Sequence, residues 1–247
     1  MSDGFQDFSF ETDDDKVGKA AKRFKAEGGR TYRATFCWFS VKTAEGWDDS
    51  LAFKDGKLHP EAQIRFTGCE RIYKEGVGYF LYNGPTYAQF GAPKQAVGTI
   101  ICVWPTDKDG DLDASSFANG KGHTVQPWVF SPDKYNTIKK SHKRFTLMAH
   151  DMAMSCPADG GQYQKLTFTP ENENLLQKLL ASEKPQFKEV AAQIILDAKA
   201  VAEKIQGDMA RNMTLDQIRE AMGEEVGTPT GSSHEAKDVE DLLNDVL

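Results

Sequence analysis

Residues 125–169, VQPWVFSPDKYNTIKKSHKRFTLMAHDMAMSCPADGGQYQKLTFT, constrain the fold more than any other stretch. The apolar run at 125–130 reads as a strand, and Pro132-Asp133 turns the chain into a short helix over 134–140. The basic corner His142-Lys143-Arg144 follows. A strand over 145–155, a Pro/Gly turn at 156–161 and a strand over 163–169 complete the unit. Strand, small helix, then two strands joined by a turn is the pattern of the second half of a small Greek-key β-barrel. Lys134, Lys139, Lys140, Lys143 and Arg144 fall in this unit beside Trp128, Phe130 and Tyr135. Single-stranded nucleic acid requires that mixture, because cations follow the phosphates and flat rings stack on the bases.

The charge distribution points the same way. Residues 1–15 carry six acids and no base, and residues 224–247 carry seven acids against Lys237. The net charge of −7 therefore leaves the body, residues 16–223, at +5. A basic body between acidic ends suits a nucleic-acid binder whose ends compete with phosphate, although acidic ends also serve solubility alone. The basic stretch 16–25, KVGKAAKRFK, is either a solvated helix or a phosphate-contacting arm.

Between the arm and the basic unit the chain reads as strands. Residues 31–41 are aromatic and β-branched, 64–73 and 76–82 pair through a turn at Lys74-Glu75-Gly76, and 97–104 is the most apolar strand. Residues 42–60, with Trp47, and 106–123 read as loops. After Thr169-Pro170 the apolar spacing becomes helical: Leu175, Leu176, Leu179 and Leu180, then Phe187 to Ile205 behind Pro185. A capping box at Thr214–Gln217 opens a third helix. The expected layout is a flexible arm (1–29), a strand-rich core (30–170), a helical segment (171–222), and a linker with an acidic interaction tail (223–247).

Several chemistries are missing from the sequence. There is no GxGxxG, Walker A, HExxH or GxSxG motif, and no nucleophile with a plausible base, so no enzymatic activity is expected. Cys37, Cys69, Cys102 and Cys156 are scattered without zinc-ligand spacing, so no metal and no cofactor are expected. Asp107, Asp109 and Asp111 alternate as in a calcium loop, but Gly110 comes too early and position twelve is Ala118. No apolar run reaches membrane length and no secretory signal is visible, so a cytoplasmic protein is expected.

Three stretches carry a resemblance: IICVWPTDKDGD, then VQPWVFSPDKYNTIKK with the HKRFTLMAHDMAMSC…YQKLTFTP hairpin, and the ending EDLLNDVL. Over roughly residues 64–170 and the tail, the chain resembles the bacteriophage single-stranded-DNA-binding proteins, the helix-destabilising proteins typified by T-even phages. The resemblance implies an OB-fold body that binds single strands without sequence preference. It also implies an acidic tail that recruits replication, recombination and repair proteins and restrains duplex binding. The T-even type holds zinc through cysteines and a histidine between early strands. Residues 68–93 here have only Cys69 and no histidine, so zinc should be missing.

The expected fold is thus α+β, mainly β: an OB-fold-like Greek-key barrel with C-terminal helices and a disordered acidic tail. Candidate phosphate contacts are Arg71, Lys74, Lys94, Lys134, Lys139, Lys140, Lys143 and Arg144. Candidate stacking rings are Tyr73, Tyr79, Tyr82, Tyr87, Phe90 and Trp128, each with core packing as the alternative. The tail candidates for partner binding are Asp238, Glu240, Asp241, Leu242, Leu243, Asp245 and Leu247. Expected partners are single-stranded DNA and replication and recombination proteins, with self-association on DNA left open. A replication scaffold with incidental DNA contact and an RNA-binding OB protein are the competing readings.

Overall fold

The computed structural model describes residues 23–54, 56–82, 84, 87–158 and 166–223. The chain enters its sheet at β1 (Thr31–Phe36), breaks at Cys37-Trp38 and resumes as β2 (Phe39–Thr43). Short strands follow: β3 (Gly46–Asp48), β4 (Phe53–Lys54), β5 (Lys57–Leu58) and β6 (Gln63–Ile64). A hairpin of β7 (Thr67–Lys74) and β8 (Gly78–Leu81) leads through a 3-10 turn, Tyr87–Phe90, to β9 (Lys94–Val103). Then come α1 (Ala114–Ala118), β10 (Thr124–Phe130), α2 (Pro132–Phe145), β11 (Met152–Ser155) and β12 (Thr167–Pro170). The last elements are α3 (Leu175–Ala181), α4 (Pro185–Ala202), α5 (Ile205–Met209), β13 (Arg211–Asn212) and α6 (Leu215–Ala221).

β9 is the axis, as its apolar sequence predicts. β10 pairs along one of its edges from Val97 to Val103. The opposite edge forks: β1 takes residues 101–103 and β7 takes 94–98. The main sheet runs β12-β11-β1-β9-β7-β8-β13, with only the β8–β13 pair parallel. It does not close into a barrel, so the expected closed Greek key is corrected to a large open mixed sheet. The physical reason is the fork. β1 leaves β9 after Phe36 and spends its continuation, β2, on a separate small sheet with β3 and β6. The outer edge of β10 is met by the arm, where the Phe24 N–H donates to the Pro127 carbonyl at 3.0 Å. Phe24 is buried edge-on against Tyr32 and Trp128, so residues 23–26 pack as part of the body.

One face of the sheet buries Ile100, Cys102 and Val129 under Leu175, Leu179, Ile194 and Ile205 from α3, α4 and α5. Gly98 permits this. A Cβ there would lie 2.6 Å from Met209 Sδ and 3.3 Å from Ile205 Cδ1, so only glycine lets α5 sit on β9. The other face buries Phe36, Ile101, Trp128, Met152 and Met154 with Ile138 of α2. A satellite cluster joins Ile72, Phe80, Phe90 and Ile218. All four cysteines are buried, and burial pushes the Cys37, Cys69 and Cys102 thiols up. No helix among the described residues is long and apolar enough to cross a membrane.

Asp151 ties three elements together. Its carboxylate is fully buried and accepts from Thr35 Oγ1, from Arg33 Nε at 2.9 Å and from the Leu175 N–H at 3.1 Å. Thr35 Oγ1 accepts in turn from Trp104 Nε1 at 2.6 Å. The knot joins β1, the start of β11 and the first turn of α3.

Several boundaries move from their expected places. The helix expected at 134–140 runs from Pro132 to Phe145, so the basic corner is helical and the strand expected at 145–155 shrinks to β11. Ser131 caps its start, and Thr146, left-handed at φ 52°, ends it by donating its N–H to the His142 carbonyl at 2.9 Å. The strand expected at 31–41 is split at Cys37-Trp38, and the 42–60 loop contains β3, β4 and β5. In the 106–123 loop the alternating aspartates serve the backbone. Asp107 Oδ1 accepts from the Asp109 and Asp111 N–H groups, and Asp113 caps α1. The expected cap at Thr169-Pro170 belongs to β12, and Asn174 caps α3 instead. Pro185 and the Thr214 capping box open α4 and α6 as predicted. Residues 1–22 and 224–247, including the tail candidates, and 159–165 lie outside the described residues.

Candidate nucleic-acid interface

The fork in the sheet opens a cleft of about 390 Å³ between the β2–β3–β6 sheet and α2. Where β1 leaves β9, Trp38 and Arg65 meet: the Arg65 N–H donates to the Trp38 carbonyl at 2.9 Å. Trp38 Nε1 donates to Asp49 Oδ2 at 2.7 Å, and Ser40 Oγ donates to Asp49 Oδ1, so one carboxylate fixes the Trp38 indole. The Arg65 guanidinium sits 4.8 Å from the Trp47 ring centre and 5.9 Å from that of Trp38. Lys42 Nζ lies 5.9 Å from the Trp47 ring centre. Phe66 meets Tyr135 of α2 edge-to-face at 5.1 Å, and Lys139 and His142 also line the cleft. Trp47, Arg65, Phe66, Tyr135 and His142 are all half-buried.

Electrostatics in the cleft follow from that burial. Desolvation lowers the Arg65 pKa against the pull of Asp49, yet a guanidinium stays charged in proteins. Burial also lowers the His142 pKa. Its Nδ1 accepts from the Leu147 N–H at 3.2 Å, which fixes the neutral tautomer with the proton on Nε2. A weakly hydrated planar cation against an indole, facing a second aromatic pair, can take a flat heterocycle between them.

α2 supplies the cations expected of it. Lys139, Lys140, Lys143 and Arg144 are exposed over its last two turns, and Lys139 reaches the cleft. Lys134 differs: it is buried in the first turn, and desolvation lowers its pKa, so it is corrected from phosphate contact to packing.

The β7–β8 hairpin gathers a second group. Arg71, Tyr73 and Tyr79 share one face, because Tyr73 pairs with Tyr79 and Arg71 lies two residues before Tyr73. Lys94 pairs with Arg71, and Lys74 ends the strand. Of the remaining candidate rings, Trp128 is 0% exposed and Phe90 6%, so neither offers a face to a base; both are corrected to core. Tyr82 is half-buried edge-on to Phe90 at 5.6 Å. Tyr87 lies in the 3-10 turn, its side chain outside the described residues.

Trp38, Lys42, Trp47, Arg65, Phe66, Tyr135 and His142 were not among the sequence candidates. The available signal was Trp47, an indole placed in a polar stretch with no apolar periodicity to bury it. Among the described residues no cluster of three or more His, Cys, Asp or Glu could hold a metal ion. No protein-family model, curated protein or solved structure matches the chain.

Proposed function

We propose that this chain binds single-stranded DNA without sequence preference and protects it during replication, recombination and repair, as the phage helix-destabilising proteins it resembles do. The observation that carries this reading is the cleft. Arg65 lies on Trp47 opposite the Phe66–Tyr135 pair, and the exposed α2 cations begin at its rim. Aromatic platforms with adjacent phosphate contacts hold single strands, whereas a duplex keeps its bases stacked inside. In this reading the forked sheet is an OB-like Greek key left open at β9.

A titration of fluorescent oligo-dT against salt tests the proposal. With four or five phosphate contacts, log K falls by roughly 3 per decade of salt. Duplex of the same length binds more weakly, and an oligo-U arm separates the RNA reading. Trp47→Ala weakens oligo-dT binding by about 1–3 kcal/mol. A salt slope near zero sinks the reading.

The acidic ending enters the same proposal. Residues 235–247 combine Glu235, Asp238, Glu240, Asp241 and Asp245 with Val239, Leu242, Leu243 and Val246. A tethered acidic segment competes with phosphate for the α2 cations, most strongly at low salt, and frees its apolar set for replication proteins when DNA displaces it. Deleting residues 235–247 is expected to tighten binding at low salt and abolish capture of replication proteins. Unchanged affinity with partners retained would leave the tail a solubility device.

A further inference from the structure

We infer that the β7–β8 hairpin is a second single-strand stacking site, engaged only by strands long enough to run the length of β7 from the cleft. The inference rests on the single-strand reading of the cleft and adds a length threshold to it.

Tyr73 is 58% exposed and Tyr79 39%, the two exposed tyrosines among the large exposed apolar side chains of the described residues. Their rings lie 4.9 Å apart at 52°. Arg71 covers the Tyr79 ring at 3.7 Å, and its Nη1 donates to the Met209 carbonyl at 2.7 Å. Tyr79 is therefore held by Arg71, and Tyr73 presents the freer ring. The opposite face of the hairpin is locked, since Ile72 and Phe80 pack with Phe90 and Ile218. Such a platform loses little side-chain freedom when a base lands on it.

Charge selects the occupant. Lys74 and Lys94 are exposed beside the ring pair. Glu70 alternates to the other face of β7, where it accepts from Gln95, and Glu75 lies in the turn. Rings bordered by cations fit a base and its phosphates better than an apolar peptide.

Distance sets the threshold. From Phe66 to Tyr73 is seven residue steps, roughly 23 Å at the rise of a strand. A stacked strand spans that in about seven nucleotides, and an extended one in fewer. A short oligonucleotide fills the cleft alone. A longer one reaches the hairpin as an intramolecular second contact at high effective concentration.

The test uses the full chain with oligo-dT of about 4 and about 16 nucleotides, read by anisotropy. Tyr73→Ala should weaken the long oligonucleotide roughly 5- to 150-fold and leave the short one unchanged. Tyr73→Phe, which keeps the ring, should bind both like the parent. Trp47→Ala should weaken both lengths. If Tyr73→Ala, with a parental melting temperature, binds the long strand like the parent, the hairpin inference falls and the cleft reading stands. Equal weakening of both lengths also overturns it. If the parent binds neither length, the single-strand reading fails first. If Tyr73→Ala leaves DNA binding intact but loses a protein partner, the hairpin is a protein-docking face instead.

Discussion

Asp151→Ala should cost the fold about 3–5 kcal/mol, the penalty of leaving a buried ion-pair partner alone. Against the ~5–15 kcal/mol of a typical domain, that brings the protein close to unfolding. The substitution strands Arg33, whose side chain is 11% exposed, and removes the acceptor of Thr35 Oγ1 and of the Leu175 N–H at once. Urea unfolding at pH 7 measures the loss, and a loss under 1 kcal/mol would contradict the knot's role. Replacing both charges, Arg33→Met with Asp151→Leu, should recover part of it, because no unpaired charge remains.

Titration gives Asp151 a second signature. Burial pushes its carboxyl up to about 6 from an ordinary 3.8, against the downward pull of Thr35, Arg33 and the Leu175 N–H. The folded state then binds more protons than the unfolded state between roughly pH 4 and 6. This group therefore adds stability as the pH falls through 6 and contributes none of that gain above it. Two units of pKa correspond to about 3 kcal/mol at most. Asp208, also raised by burial, works in the same direction; His123 and His142, lowered by burial, work against it below about 6.5. The diagnostic is thus the difference between the parent and Asp151→Asn. That difference should shift in the parent's favour from pH 7 to pH 5.

How far the sequence revealed the fold depended on whether burial was one-sided. β9 and the stripes of α3 and α4 were legible because local pattern and final burial coincide. β10 was legible as a strand, but its last four residues are all buried, so alternation could not tell that Trp128 faces inward. The end of α2 was misread because Phe145, Leu147 and the Met-rich run after it alternate like a strand. The structure uses Thr146 in a left-handed cap and buries Leu147 in the turn that follows. The cleft was the least legible part. Arg65, Phe66 and Tyr135 meet only because β1 departs from β9 at Cys37-Trp38, and no residue near position 65 signals α2 some seventy residues later. The α2 cations and the Tyr73–Tyr79 pair were legible because one helix and one hairpin place them locally.

Lys139→Ala, Lys140→Ala and Lys143→Ala combined should weaken oligo-dT binding by roughly 500-fold at 50 mM salt, with the melting temperature unchanged. Each phosphate contact to a single strand contributes about 0.7 to the slope of log K against log salt. Removing three contacts should reduce that slope from about −3 to about −1, and at 50 mM the lost counterion release amounts to nearly three decades of affinity. All three side chains are exposed on α2, whose packing rests on Ile138 and Tyr135, so the fold does not depend on them. The effect should be the same for oligo-dT, oligo-dA and mixed sequences, because phosphate contacts carry no base information. It should nearly vanish at 1 M salt, where the stacking on Trp47, Phe66 and Tyr135 carries what binding remains. A triple variant that keeps the parent's slope would move the phosphate path off α2. If it lost affinity equally at 50 mM and 1 M salt, the lysines would be acting through the shape of the cleft rather than through charge.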